Sequence, residues 1–140
     1  GDYDGDGQTD PAALDTTSGV LMAFLSGSGY APAAAHFPSA DPSALHPAVG
    51  DYDGDGKDDP CVYDTANGLW LLRLSGNRYA FQSRALGGSA YQPLVGDYDG
   101  DGIADQAVFD ESTGHWLVWS VGAGRLLWNI HWEAGWQPAN

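Results

Sequence analysis

The chain has 140 residues, enough to bury a core as one domain, and a formal charge of −14 from 19 acidic and five basic residues. That balance, with no clustered Lys or Arg, argues against nucleic acid or an anionic membrane as partner. The single cysteine, Cys61, excludes an internal disulfide framework, and no apolar run reaches the length needed to insert into a membrane.

The chain opens on Gly1-Asp2-Tyr3-Asp4-Gly5-Asp6-Gly7-Gln8-Thr9-Asp10, and the stretch returns as GDYDGDGKDD from Gly50 and GDYDGDGIAD from Gly96. With no initiator Met or leader before this motif, the chain reads as a processed piece. The recurrence divides it into repeats 1–49, 50–95 and 96–140, a period typical of repeat architectures with one supersecondary unit each. Every copy places aspartates at positions one, three, five and nine: Asp2, Asp4, Asp6, Asp10; Asp51, Asp53, Asp55, Asp59; Asp97, Asp99, Asp101, Asp105. Carboxylates on alternate residues converge on one centre only if the backbone curls around it. Gly7, Gly56 and Gly102 permit that curl, since glycine takes positive φ at little steric cost.

Hard oxygen ligands in a tight loop are what Ca²⁺ selects, which predicts three ions, one per loop. The first half matches the helix-flanked calcium loop D-x-D-x-D-G. That loop closes on a Glu at position twelve, where this chain has Ala13, Val62 and Val108. A different element must therefore follow. Twelve of the 19 acidic residues sit in these loops, a spacing that scattered surface acids would not keep.

After each loop comes a short apolar run: Pro11 to Asp15, Pro60 to Asp64 and Gln106 to Asp110. A polar connection closed by Gly19, Gly68 or Gly114 then signals a hairpin. The second runs, Val20 to Leu25, Leu69 to Leu74 and His115 to Ser120, have strand length and composition. Third runs begin at Tyr30, Tyr79 and Leu126 after Gly-containing turns. Each repeat ends on a shared pattern, Leu45-His46-Pro47-Ala48-Val49, Tyr91-Gln92-Pro93-Leu94-Val95 and Trp136-Gln137-Pro138-Ala139-Asn140, expected to be a short strand feeding the next loop. Nothing reads as a helix, because Pro and Gly interrupt the only candidate, Ala31 to His36. The fold class is all-β: three blades of three or four antiparallel strands, each one small twisted sheet of the propeller type.

The motif G-D-Y-D-G-D-G-x-x-D, followed by a short apolar strand and D-x-x-x-G, resembles the FG-GAP/VCBS-type repeat of bacterial secreted proteins and, more distantly, integrin α-chain propeller blades. The resemblance covers all three repeats. It implies β-propeller blades with calcium held in a loop between strands. The twelve loop aspartates would be ligands, and the backbone carbonyls of Gln8, Lys57 and Ile103 would complete each shell.

Closed propellers have four to eight blades, and three fall short. Asn140 stands where Val49 and Val95 stand, one residue before the next motif would begin. Chains are therefore expected to join head to tail as a homo-oligomer, in a ring or a filament; the rival expectation is a piece of a larger propeller. Chemistry is sparse. His36, His46, His115 and His131 occupy non-equivalent places, and no nucleophile–base or phosphate-binding pattern appears, so no enzyme is expected. Cys61, aligned with Ala12 and Ala107, reads as a small buried side chain. Trp70, Trp116 and Trp136 replace apolar residues in core-like slots, whereas Trp128 and Trp132 would either pack against a neighbouring blade or form a platform for a glycan or cell-surface ligand. The expected function is calcium-dependent assembly or adhesion outside a bacterial cell, where calcium is plentiful. The alternatives are a lectin-like carbohydrate-binding module and a non-catalytic appendage of a secreted enzyme.

Overall fold

The computed structural model describes residues 1–139 and is all-β, with three antiparallel sheets in an open array. The first sheet contains β1 (Ala12–Asp15), β2 (Val20–Leu25) and β3 (Ala31–His36) in that order. The second contains β4 (Leu45–Pro47), β5 (Cys61–Asp64), β6 (Leu69–Leu74) and β7 (Ala80–Ala85). The third contains β8 (Gln92–Gly96), β9 (Asp105–Asp110), β10 (His115–Ser120) and β11 (Arg125–His131). Among the described residues, helical structure is limited to 3-10 turns at Ser26–Ser28, Pro42–Ala44 and Ser75–Asn77. Ala31–His36 is a strand, held along its length by β2.

The second and third sheets each take their outermost strand from the end of the preceding sequence repeat. β4 pairs with β5, setting His46 opposite Tyr63 and Pro47 opposite Val62, and β8 pairs with β9, setting Gln92 opposite Phe109 and Pro93 opposite Val108. The prolines are tolerated because these are edge strands. Strand alternation sends one face of each sheet forward and one back. Leu21, Ala23 and Phe37 of the first sheet pack on Val62 and Leu71 of the second. Tyr52, Cys61, Tyr63, Trp70 and Leu72 of the second unit pack on Val108, with Leu117 and Val121 at the margin. Cys61 is fully buried, which pushes its thiol well above the ordinary range.

Trp70 and Trp116 lie in the core, as their slots predict. Trp136 does not. It is 59% exposed, against 2% for its equivalent Leu45, and the described part of the last segment, Trp136–Ala139, forms no strand. Leu45 is buried in the cluster of Leu21, Phe37, Val62 and Leu71 between the first two sheets, whereas Trp136 joins no such core cluster among the described residues. Asn140 lies outside the described residues.

Candidate metal centres

The first aspartate of each motif folds its loop. Asp2 accepts the backbone N–H of Gly5 (2.8 Å) and Gly7 (2.9 Å), Asp51 those of Gly54 (2.6 Å) and Gly56 (2.9 Å), and Asp97 those of Gly100 (2.6 Å) and Gly102 (2.9 Å). The curl requires φ of +84°, +85° and +86° at Gly7, Gly56 and Gly102, where a side chain would be strained. The Gly102 N–H is the main cause holding the Asp97 carboxyl below its ordinary value. Gln8, Lys57 and Ile103 donate their N–H groups to Asp6, Asp55 and Asp101, tightening the second half of the turn.

The ninth-position aspartates are the loops' buried anchors. Asp10 accepts Tyr3 N–H on one oxygen and Ser26 N–H on the other, Asp59 accepts Tyr52 and Ser75 likewise, and Asp105 accepts Tyr98 and Val121. Each thus ties the start of its loop to the turn that follows β2, β6 or β10. The Ser26 N–H holds the Asp10 carboxyl below its usual value, whereas burial pushes Asp59 and Asp105 up. All three are inaccessible to solvent.

Carboxylate oxygens from Asp2, Asp4 and Asp6 lie within 4.8 Å of one another, as do those from Asp51, Asp53 and Asp59 and from Asp97, Asp99 and Asp101. Two oxygens on one calcium, each about 2.3–2.6 Å away, stand no more than roughly 5 Å apart, so these sets fit. The Oδ1 atom of Asp53 sharpens the test, because it is buried without any hydrogen-bond partner. A buried carboxylate oxygen left unpaired is costly unless a cation meets it. The other predicted aspartates, Asp10, Asp55 and Asp105, lie outside these closest sets.

The first two centres have a second wall that the aspartate pattern does not show. Gly27 and Gly76 donate N–H to Asp4 (3.0 Å) and Asp53 (2.9 Å), while the Ser26 and Ser75 hydroxyls donate to Asp6 (2.9 Å) and Asp55 (3.0 Å). A Cβ on Gly76 would sit 2.9 Å from Asp53 Oδ2, so glycine lets that carboxylate approach without a shift. The signal lies in the sequence as a recurring Ser-Gly pair, Ser26-Gly27 and Ser75-Gly76, replaced in the third repeat by Val121-Gly122.

The loops also touch one another. Asp58 donates its backbone N–H to the Asp2 carbonyl and Ala104 to the Asp51 carbonyl, each at 2.7 Å. On the third sheet, Trp128 packs edge-on to Tyr98 and Trp132 tilts against Trp116 at 5.6 Å, yet they remain 38% and 51% exposed. A shallow groove beside them is lined by His131, Trp132, Glu133 and Trp136.

Residues 2–62, spanning the first two loops and the sheet between them, match the family model described as an FG-GAP-like repeat. This part of the chain is similar to FG-GAP-like repeats. Recognition of the FG-GAP type therefore holds over this span, and the third loop reproduces the same Asp-to-glycine hydrogen bonds. No curated protein and no solved structure matches the chain. Among the described residues, no helix is long and apolar enough to cross a membrane.

Proposed function

We propose that this is a calcium-binding repeat protein of structural or adhesive role outside a bacterial cell, not an enzyme, and that it assembles head to tail. The two outermost sheet faces support the assembly. Ala13, Met22 and Phe24 occupy the face of the first sheet that corresponds to Val62 and Leu71 in the second and Val108 and Leu117 in the third. Those later residues are packed on the sheet before them, whereas Met22 is 36% and Phe24 44% exposed. At the other end Trp128, Ile130 and Trp132 present the face that Leu21 and Phe37 present to the second sheet. One end shows the apolar surface that the other end is built to cover, and exposed patches of this kind mark interaction sites.

The resident ion is calcium, one for each of three loops. In the first loop Asp2, Asp4, Asp6 and Asp10 with the Gln8 carbonyl would hold it. The second uses Asp51, Asp53, Asp55, Asp59 and Lys57, and the third Asp97, Asp99, Asp101, Asp105 and Ile103. Bound calcium neutralises the clustered carboxylates and joins loop to sheet, so its binding free energy becomes folding free energy. Residues of the chain do the rest: Asp2, Asp51 and Asp97 shape the loops, and Asp10, Asp59 and Asp105 anchor them.

Replacing Met22→Asp together with Phe24→Asp tests the assembly. Calcium stoichiometry by titration calorimetry should stay at three while self-association disappears. Unchanged association would overturn the face-to-face reading. The groove at Trp132 and Trp136 favours one second reading, a lectin-like module, which calcium-dependent glycan binding lost on Trp128→Ala and Trp132→Ala would support.

A further inference from the structure

The gap between the first and second sheets is filled differently from the next one. Between the second and third sheets, Arg84 of β7 lays its guanidinium 4.0 Å over the Trp119 ring of β10, while Trp70 and Leu72 of β6 are buried in one cluster with Val108. At the equivalent positions of the first gap, Ala35 replaces Arg84, Leu21 replaces Trp70, Ala23 replaces Leu72 and Arg73 replaces Trp119. Ala33 likewise stands where β7 has Gln82. Smaller side chains leave a cleft of about 440 Å³ between the two sheets. Packed interiors hold few voids larger than a water molecule, and this one falls in the range of small-molecule sites, roughly 300–1,000 Å³.

One wall of the cleft carries a cation without an acid. Arg73 is half-buried, its guanidinium over the rings of Phe37 at 5.9 Å and Phe81 at 5.5 Å. Its Nε and one terminal nitrogen donate to the His36 carbonyl at 3.1 and 2.8 Å, and the other terminal nitrogen donates to the Tyr79 carbonyl at 3.4 Å. These bonds fix the group across the gap, use three of its five N–H donors, and include no carboxylate. The Tyr79 carbonyl is presented by a strained turn. Arg78 and Tyr79 take left-handed backbone, with φ of +54° and +58°, where the first repeat has Gly29 at the former position. Such strain persists only where the surroundings hold it, and it gathers at binding sites.

We propose that this cleft binds a small organic monocarboxylate with an apolar body. The carboxylate takes the two remaining N–H groups of Arg73 in charge-assisted hydrogen bonds, and the hydrocarbon lies along Leu21, Ala23, Ala33 and Ala35. One fixed guanidinium matches one carboxylate. Among the described residues, Arg73 is the one Lys or Arg lining the cleft, so a doubly charged phosphate would find no second such cation. The site is separate from the third-sheet groove and does not rest on the head-to-tail reading.

The test is an amide NMR titration of the native chain in calcium with 3-phenylpropanoate and, separately, with its neutral amide, 3-phenylpropanamide. The expected result is saturable shifts centred on Ala23, Ala33, Ala35 and Arg73, with the amide binding about tenfold more weakly than the acid. Arg73→Gln should bring the acid down to the affinity of the amide. Because Arg73 also bridges the two sheets, a second variant leaves it in place and fills the cleft with residues from the next gap, Ala23→Leu together with Ala33→Gln. That variant should melt no lower than the native chain and lose the acid. No saturable shift with the acid, equal affinity for acid and amide, or undiminished binding by the filled variant would each overturn the proposal.

Discussion

Asp58 and Asp2 are joined twice. The Asp58 backbone N–H donates to the Asp2 carbonyl at 2.7 Å, and the Asp58 carboxylate accepts the Asp2 N–H at 2.7 Å. The first bond recurs between Ala104 and Asp51, but alanine cannot make the second. The loops are thus stitched along one edge of the array, and the side-chain stitch is specific to the first pair. Asp58→Ala should lower stability by about 1 kcal/mol, below the roughly 1.5–3 kcal/mol of a hydrogen bond to a charged group, because removing one carboxylate from an acidic edge offsets part of the loss. Urea unfolding in saturating calcium checks this; an unchanged midpoint would mean that the two loops are not coupled there.

Asp59 accepts two backbone N–H groups, one on each oxygen, and is fully buried. An amide in its place would turn an NH₂ toward one of those donors. Asp59→Asn should therefore cost about 1–3 kcal/mol, the penalty of a buried unsatisfied group. The loss should persist when calcium is chelated, since the anchoring role does not need the ion. A variant destabilised only in calcium would show that Asp59 acts solely as a ligand.

The hairpin aspartate Asp15 gives a pH signature away from the loops. The hydroxyls of Ser18 and Thr17, with the Thr17 N–H, hold its carboxyl down at about 2 from an ordinary value of 3.8. A depressed carboxyl stabilises the folded state above the unfolded pKa and loses that contribution as pH falls through the folded one. Asp15→Ala should be less stable than the native chain by a constant amount above about pH 4, with the difference shrinking toward pH 2. A difference that instead grew on acidification would contradict these contacts.

Leu45 and Trp136 occupy the same place in the repeat but are 2% and 59% exposed. Leu45→Ala should cost about 2–5 kcal/mol as a core truncation. Trp136→Ala should stay within about 0.5 kcal/mol in dilute protein and weaken self-association instead. Thermal unfolding at low and high protein concentration separates the two effects.

The second strand of each repeat was legible to the residue: Val20–Leu25, Leu69–Leu74 and His115–Ser120 are strands with the bounds that their apolar runs and closing glycines predict. The aspartate spacing likewise located the loops, because carboxylate convergence is local. What escaped was non-local. That Leu45–Pro47 belongs to the sheet of Cys61–Asp64 depends on pairing across a whole loop, which no local period records. Trp136 occupies a slot that is core elsewhere, but burial depends on what packs around the slot, and Trp136 stays 59% exposed. The Ser26-Gly27 wall went unread because a Ser-Gly pair is ordinary turn chemistry until the fold sets it against Asp4 and Asp6.

Native mass by light scattering, in calcium and after chelation, tests the central claim most directly. Calcium-driven head-to-tail assembly predicts multimers of the 14.7 kDa chain that disperse when the ion is removed. A calcium-loaded particle of 14.7 kDa would contradict it.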